Sequence, residues 1–284
     1  MKTYTTILVL FLTVKLGFAN DIDSLMTKED VEKFLIKINS KCEKYDVFNT
    51  SKKKYTSIYN KEKFLKLDVD NNGLTDLIIN GKYFFVVTDI GNGHYESSFI
   101  ERGKITLSNY TLINIIYKDN APLLLMKNYF KYKDTTNNSN VDTLIFKFGD
   151  FIEFNSMPDN LKIEKIKFST SGCFGSCPIF EISILPNGNV AYKAIEYNEK
   201  SGKFKAIIDK NSYNNILQTI NYIKLPSLKD KYEVNWTDDE TVTLEIIYNS
   251  GQVKIINDYG GIGTFGLENL YHQLFVLRDT LNWK

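Results

Sequence analysis

Short apolar runs alternate with polar turns along most of this chain, and this pattern predicts a protein rich in β-strands. Between residues 63 and 147 the apolar runs are separated by Gly, Asn and Asp. Short runs bounded by turn-forming residues are typical of antiparallel strands. The strands predicted in this half are centred on Phe64–Leu67, Leu77–Ile79, Tyr83–Val87, Ile113–Ile116, Leu123–Leu125 and Leu144–Phe146.

One helix is predicted before these strands, from Lys28 to Asn39. Thr27 is suited to cap the first turn, and Asp30 stands three residues after it, which is the spacing of a capping box. The apolar residues recur at helical spacing and form one stripe. That stripe consists of Val31, Phe34, Leu35 and Ile38.

The second half has a clearer pattern of strands and two helices. Asn187-Gly188 is a favoured hairpin turn, and it separates two strongly alternating segments. Helical spacing predicts one helix from Ser212 to Ile223 and another at the end of the chain, with apolar positions from Leu267 to Leu281. The predicted strands are residues 163–168, 179–184, 190–197, 203–208, 241–248 and 252–258.

The segment Asn155–Asn160 is the best candidate for a domain boundary, because it is polar and contains Pro158. The sequence therefore predicts an α+β protein. A sheet-rich N-terminal domain over residues 20–157 is followed by a C-terminal antiparallel-sheet domain with two helices over residues 160–284.

Residues 1–19 have the features of a signal peptide. A lysine near the start precedes the apolar run Ile7–Leu12, and Gly17 and Ala19 fit the small positions that a signal peptidase reads, so we expect cleavage after Ala19. The apolar run is much shorter than the roughly 18 to 20 residues that span a bilayer. The sequence thus predicts a secreted or periplasmic protein with no membrane span.

The charge balance argues against a polyanionic partner such as nucleic acid. The chain has 35 basic and 34 acidic residues, and removal of Lys2 and Lys15 with the signal peptide leaves 33 and 34, a net charge of −1. Binding of nucleic acid or of an acidic membrane requires a basic excess on one face. We therefore expect no nucleic acid and instead an unidentified envelope or extracellular ligand.

Two of the three cysteines, Cys173 and Cys177, lie in the segment Gly-Cys-Phe-Gly-Ser-Cys-Pro between two predicted strands. In an exported protein such a pair predicts a structural disulfide, which is worth about 2 kcal/mol for so small a ring. The alternative is a thiol–disulfide redox pair, although redox enzymes usually carry Cys-x-x-Cys at a helix N-terminus. The third cysteine, Cys42, is expected to be buried or to pair with another chain.

The C-terminal half resembles an uncharacterised family of exported bacterial domains with a Cys-Phe-Gly-x-Cys-Pro core. The resemblance covers about residues 160–284. It includes the strand and Asn-Gly turn after the cysteines and the later segments Trp236–Asp239, Val253–Ile255 and Asp258–Gly260. The resemblance implies a fold and an extracytoplasmic location, but no activity.

The segment Asp68–Asp76 matches a calcium-loop pattern, in which alternating oxygen ligands converge on one side of a tight turn. An EF-hand is excluded because its twelfth position is Ile79 and a strand follows. The loop is similar instead to that of FG-GAP/VCBS-type repeats, and the alternative is an acidic hairpin turn at Asn72-Gly73. The predicted calcium ligands are Asp68, Asp70, Asn72, the carbonyl of Leu74, and Asp76.

The sequence contains no convincing catalytic constellation. His94 and His272 lack partners at catalytic spacing, and the Gly-x-Gly-x-x-Gly pattern at residues 261–266 has no βαβ unit after it, so we interpret it as the start of the last helix. The predicted function is a non-enzymatic binding or scaffold module. The alternatives are a redox protein using Cys173 and Cys177, or a hydrolase built on the carboxylates of Asp238 or Asp239.

Overall fold

The computed structural model describes residues 20–39, 64–80, 84–100, 110–128 and 141–284. Three β-sheets and three α-helices lie in these ranges, so the protein is a sheet-rich α+β structure as predicted. None of the helices in these ranges combines the length and apolarity needed to cross a membrane. The predicted signal peptide at residues 1–19 and Cys42 lie outside the described residues.

The first sheet is a four-stranded antiparallel meander covered by the predicted N-terminal helix. Helix α1 spans Lys28–Ile38, and Thr27 and Asp30 form the expected capping box at its start. Strand β4 was not predicted, because its sequence His-Tyr-Glu-Ser-Ser-Phe interrupts the apolar pattern. The strands are β1 (Phe64–Leu67), β2 (Asp76–Asn80), β3 (Phe84–Gly91) and β4 (His94–Phe99), paired in that order.

The second sheet is also a four-stranded antiparallel meander. Its last strand was not predicted, because it has only four residues and follows a two-residue turn in which Phe148 and Gly149 have positive φ. The strands are β5 (Tyr110–Lys118), β6 (Ala121–Asn128), β7 (Val141–Lys147) and β8 (Asp150–Glu153), again paired in chain order.

The first sheet lies between α1 and the second sheet. Leu77 and Ile79 of β2 pack against α1, whereas Ile78 faces the second sheet, and β3 divides its side chains in the same way. All the residues of β2 are buried, which explains why this strand reads as a continuous apolar run and not as an alternation.

The third sheet contains seven strands in the order β12-β11-β10-β9-β14-β15-β13. All pairs are antiparallel except β13 and β15, which run parallel. The predicted antiparallel sheet therefore contains one parallel pair at this edge, where the short segment before β14 returns alongside β15. The strands are β9 (Ile163–Thr170), β10 (Ile179–Ile184), β11 (Asn189–Glu196), β12 (Gly202–Ile207), β13 (Lys231–Glu233), β14 (Thr241–Tyr248) and β15 (Gln252–Tyr259).

One face of the third sheet is buried under two helices. Helix α2 spans Lys210–Tyr222 and is capped by Asp209, and α3 spans Phe265–Thr280 and is capped by Thr264. Alternate residues of the strands join apolar residues of both helices in one core. The opposite face is not part of this core. At the outer edge, Lys284 and Lys205 exchange two backbone hydrogen bonds of 2.9 Å.

The second sheet is joined to α3 across the predicted domain boundary. The carboxylate of Glu153, the last residue of β8, accepts hydrogen bonds from the backbone N–H groups of Phe265 and Gly266 at 2.8 and 2.9 Å. The ring of Phe265 packs into the core between the first two sheets, 5.3 Å from the ring of Tyr110. The proposed division near residues 157–160 thus stays a prediction, and specific contacts cross it.

The Glu153 carboxylate satisfies two N–H groups that have no partner within α3, and its charge is favourable at the positive end of the helix. Partial burial raises the pKa of Glu153, while the two backbone hydrogen bonds oppose that shift. Attraction to the helix N-terminus therefore offsets part of the cost of desolvating this carboxylate.

We expect Glu153→Gln to lower the free energy of unfolding by about 1 to 3 kcal/mol at pH 7.5, because the amide N–H₂ would face a backbone N–H that then has no acceptor. Urea denaturation followed by circular dichroism measures this change. The matched control is Glu196→Gln at an exposed position of β11, for which we expect a change within about 0.5 kcal/mol. Equal stabilities of the two variants would contradict the role given to Glu153.

Candidate functional sites

The loop between β9 and β10, residues 171–178, is closed by the predicted disulfide. Cys173 and Cys177 are bonded, and their Cα atoms are 5.7 Å apart. Gly175 lies between them with φ +145°, a conformation that L side chains rarely adopt. The two cysteines therefore form a small ring at one end of the third sheet, with a glycine at the position where the backbone requires it.

Hydrogen bonds attach this cysteine loop to the neighbouring strand and to the segment before it. Ser171 N–H donates to the carbonyl of Thr241, and Thr241 N–H donates to the Ser171 hydroxyl, at 2.9 and 2.8 Å. Phe174 N–H donates to the carbonyl of Asp238 at 3.0 Å. The loop is thus held by a covalent bond and by polar contacts to β14 and the segment before it.

The cysteine loop presents an aromatic side chain to solvent. Phe174, at the tip of the ring, is 89% exposed, and Trp236, on the adjoining segment, is 41% exposed. Because the disulfide constrains the backbone of this loop, binding through Phe174 would cost less backbone entropy than binding through a flexible loop. This pair of aromatic residues is the feature of the loop that sequence reasoning missed, although both lie in motifs that carry the family resemblance.

The carboxylates proposed for the hydrolase alternative have structural contacts. The Asp239 carboxylate accepts hydrogen bonds from Trp236 Nε1 and from Glu240 N–H, at 3.1 and 3.0 Å. Asp238 is exposed in a turn with φ +71°, and its carboxylate accepts from the Thr237 hydroxyl. The geometry gives these residues roles in shaping the loop that holds Phe174.

A buried aspartate organises the turn that leads into α3. Asp258 is fully buried, and its two carboxylate oxygens accept the N–H groups of Ile262 and Gly263, each at 2.8 Å. A Cβ atom on Gly263 would lie 2.6 Å from an Asp258 oxygen, so only glycine fits there. The Gly-x-Gly-x-x-Gly pattern is therefore the start of a helix, as interpreted from sequence.

Three of the four segments that carry the family resemblance meet at this end of the third sheet. The hydroxyl of Tyr259 accepts a hydrogen bond from Asp239 N–H at 3.1 Å, and Tyr259 directly follows Asp258. The fourth segment, Val253–Ile255, has a different structural role. The Lys254 ammonium contacts the carbonyl of Leu228 and the carboxylate of Asp230, and these contacts hold the segment before β13.

The position of the cysteines in the fold bears on the redox alternative. Helices α2 and α3 begin at Lys210 and Phe265, so neither cysteine lies at the N-terminus of a described α-helix. Helix N-termini lower the pKa of attacking thiols in many oxidoreductases. That source of activation does not act on Cys173 or Cys177.

The loop between β1 and β2 brings together the three predicted aspartate ligands. Carboxylate oxygens of Asp68, Asp70 and Asp76 all lie within 4.8 Å of one another. Asp76 is fully buried, and its oxygens accept the N–H groups of Val69 and Asp89 at 2.7 and 2.8 Å. The predicted loop therefore produces a carboxylate cluster at the end of the first sheet, with one buried member.

Burial raises the pKa of Asp76 to about 7, and the negative charges of Asp70 and Asp68 add to this effect, while its two backbone hydrogen bonds oppose it. Burial and the charge of Asp68 also raise the pKa of Asp70. The three carboxylates therefore repel one another, and a proton or a cation would relieve the repulsion.

The remaining predicted ligands are less well placed. The Asn72 side chain donates from Nδ2 to Asp70 and to the carbonyl of Asp89, and its oxygen accepts from Leu74 N–H at 2.7 Å. This amide would have to turn before its oxygen could join the cluster. The part of the Leu74 carbonyl in the site stays a prediction. Asp89, 2% exposed on β3, contacts the loop through its backbone and was not predicted.

Comparison with known proteins finds one family model that matches part of the C-terminal half. Residues 164–278, about two fifths of the chain, match the family described as Domain of unknown function (DUF6438). This match agrees with the resemblance that the cysteine motif carries. The comparisons do not support the similarity of residues 68–79 to FG-GAP/VCBS repeats. No curated protein and no solved structure matches the chain.

Proposed function

We propose that this chain is an exported, non-enzymatic binding module that uses the cysteine loop to contact a protein of the cell envelope or the extracellular space. The observation that carries the proposal is the exposure of Phe174, which is 89%, at the tip of a loop closed by the Cys173–Cys177 disulfide. Interfaces are enriched in aromatic anchors that fill pockets on the partner. Phe174 has the chemistry and the rigidity of such an anchor.

The disulfide and the N-terminal sequence support the proposed location outside the cytoplasm. Disulfides persist in oxidising compartments and are rare in the cytosol. Cys173 and Cys177 are bonded, and residues 1–19 have the pattern of a signal peptide. Both features fit a secreted or periplasmic protein.

We expect Phe174→Ser to abolish partner binding without unfolding the protein, because the side chain buries almost no surface in the free chain. A photo-crosslinking amino acid at exposed Ser176, incorporated in the cells that export the protein, should give a discrete adduct with a partner. That adduct should be lost in Phe174→Ser. The matched control is Tyr117→Ser, which removes a 66% exposed aromatic side chain from the second sheet.

The double variant Cys173→Ser/Cys177→Ser tests the rigidity of the loop. It should reduce the adduct and lower the free energy of unfolding by about 2 kcal/mol. Adducts of equal yield in wild type and Phe174→Ser would overturn the proposal.

We propose in addition that the loop from Asp68 to Asp76 binds calcium as a structural ion. Carboxylate oxygens are the hard ligands that calcium prefers, and three of them converge without a described basic partner. Asp68, Asp70 and Asp76 would supply these ligands, and Asn72 would join after its amide turns. A calcium ion bound to this loop would stabilise the start of β2 from its solvent-exposed side.

The raised pKa of Asp76 predicts a distinctive dependence of stability on pH. Between the unfolded pKa near 3.8 and the folded pKa of about 7 the folded chain holds more protons than the unfolded chain. The free energy of unfolding should therefore fall as pH rises from 5 to 8 in a chelating buffer. Calcium should replace the proton, so that 10 mM CaCl₂ raises Tm at pH 8 by about 3 to 8 °C, and by less at pH 5.

Differential scanning calorimetry measures these shifts. Asp70→Asn should remove most of the calcium response, and Asp76→Asn should also remove the pH dependence. Asp119→Asn, in the exposed turn after β5, is the control and should behave as wild type. A Tm at pH 8 that calcium leaves unchanged would contradict the ion site.

A further inference from the structure

The face of the third sheet opposite α2 and α3 contains a groove of about 390 Å³. This volume falls within the range of ligand-binding pockets in proteins. Strands β9 to β12 all contribute to it, and its charged residues are strongly biased to one sign. They are Lys165, Lys167, Lys193, Lys203, Lys205 and Glu181.

The alternation of the strands explains how these lysines reach one surface. In β9 to β11 every second residue is buried in the core under α2 and α3, and the residues between them point to the opposite face. The register then places Lys205 of β12 beside Ala191, and Ser183 of β10 beside Lys167 of β9. Two small residues therefore lie between lysines, and the long side chains form the walls of the groove.

The charge of the groove is local and largely uncompensated. The whole chain has a net charge of +1, whereas the groove is lined by five lysines and one glutamate. Lys193 pairs with Glu181 at 3.3 Å. Among the described residues no ion pair involves the other four lysines. Glu245 is the cross-strand neighbour of Lys167 on β14 and adds a carboxylate to this face. The face retains a clear positive excess.

The groove offers charge but no aromatic platform. Tyr192 and Phe204 border it, but their side chains pack on the helix-covered side of the sheet, where the Tyr192 ring lies 4.9 Å from the ring of Trp283. Binding of single-stranded nucleic acid depends on stacking of bases on exposed aromatic rings. The groove lacks such rings, and its lysines carry point charges without the fork geometry that recognises one planar group.

The spacing of the lysines fits an extended ligand that crosses the strands. Lys203 and Lys205 lie two residues apart on β12, about 7 Å, and Lys205 is separated from Lys167 by three strand spacings, about 14 Å. A chain with one negative charge per repeating unit would meet lysines at both ends of the groove and the Ser183 hydroxyl between them.

We propose that this groove binds an acidic polysaccharide, a glycan chain with carboxylate groups on its sugars. A flat membrane surface would not enter a concave groove. A peptide that binds as an added strand needs a free sheet edge for its backbone groups, whereas β9, β10 and β11 are paired on both sides. The site is separate from the cysteine loop, which lies at the end of the strands, so it does not depend on the function proposed above.

The test measures binding of the full chain to polygalacturonate by isothermal titration calorimetry in 50 mM salt. Wild type should bind, and 500 mM salt should abolish the binding, because exposed charges are screened. Lys203→Gln/Lys205→Gln should weaken the affinity about tenfold, since it removes two exposed ion pairs. The matched control, Lys210→Gln/Lys224→Gln, removes the same charge from exposed positions at the two ends of α2 and should bind as wild type.

Neutral dextran is the uncharged control and should not bind. Three anionic ligands of other classes make the result decisive. Polyglutamate, a 20-nucleotide oligothymidylate and phosphatidylglycerol vesicles should each bind more weakly than polygalacturonate. The proposal is overturned if any of these three binds more tightly, if polygalacturonate does not bind, or if the two double variants behave alike while circular dichroism shows both to be folded.

Discussion

The burial of one face of the third sheet under α2 and α3 determines which surfaces of this sheet a ligand can reach. The buried face is filled by apolar side chains from strands and helices and leaves no room for a ligand. On this sheet, the ends of the strands and the open face are therefore the surfaces that a ligand can reach. The cysteine loop occupies one end, and the lysine groove occupies the open face. The same core supports both surfaces, and they differ in chemistry: the loop exposes an aromatic side chain, and the open face carries lysines.

Much of the fold could be predicted from local patterns, because those patterns reflect local physics. The capping box at Thr27 and the hairpin at Asn187-Gly188 appear as expected. Strands β4 and β8 escaped prediction, since the first is polar and the second is short. Strand β13 escaped for another reason. Its three residues form a strand only because they pair with β15, and the sequence of the segment itself does not indicate this pairing.

The candidate sites also differ in how well local sequence patterns could predict them. The cysteine ring and the aspartate cluster are built from residues close in sequence, so their spacing alone pointed to them. The lysine groove is built from residues of four strands, and the near-zero net charge of the chain gave no sign of its local positive charge. The bond between Glu153 and the start of α3 joins residues more than a hundred positions apart, and no local pattern marks it. Electrostatic contacts between residues distant in sequence were therefore the part of the structure that the sequence did not predict.

The backbone pairing of Lys284 with Lys205 has a consequence for how copies of this protein behave at high concentration. A bare outermost strand is a template for addition of further strands, which leads to aggregation. Here two hydrogen bonds of that strand are already taken, and Lys203 and Lys205 add like charges that repel a second copy. On the other side of the sheet the outermost strand is only three residues long. Both flanks of the third sheet are thereby protected against the strand-by-strand self-assembly that would otherwise set in at high concentration.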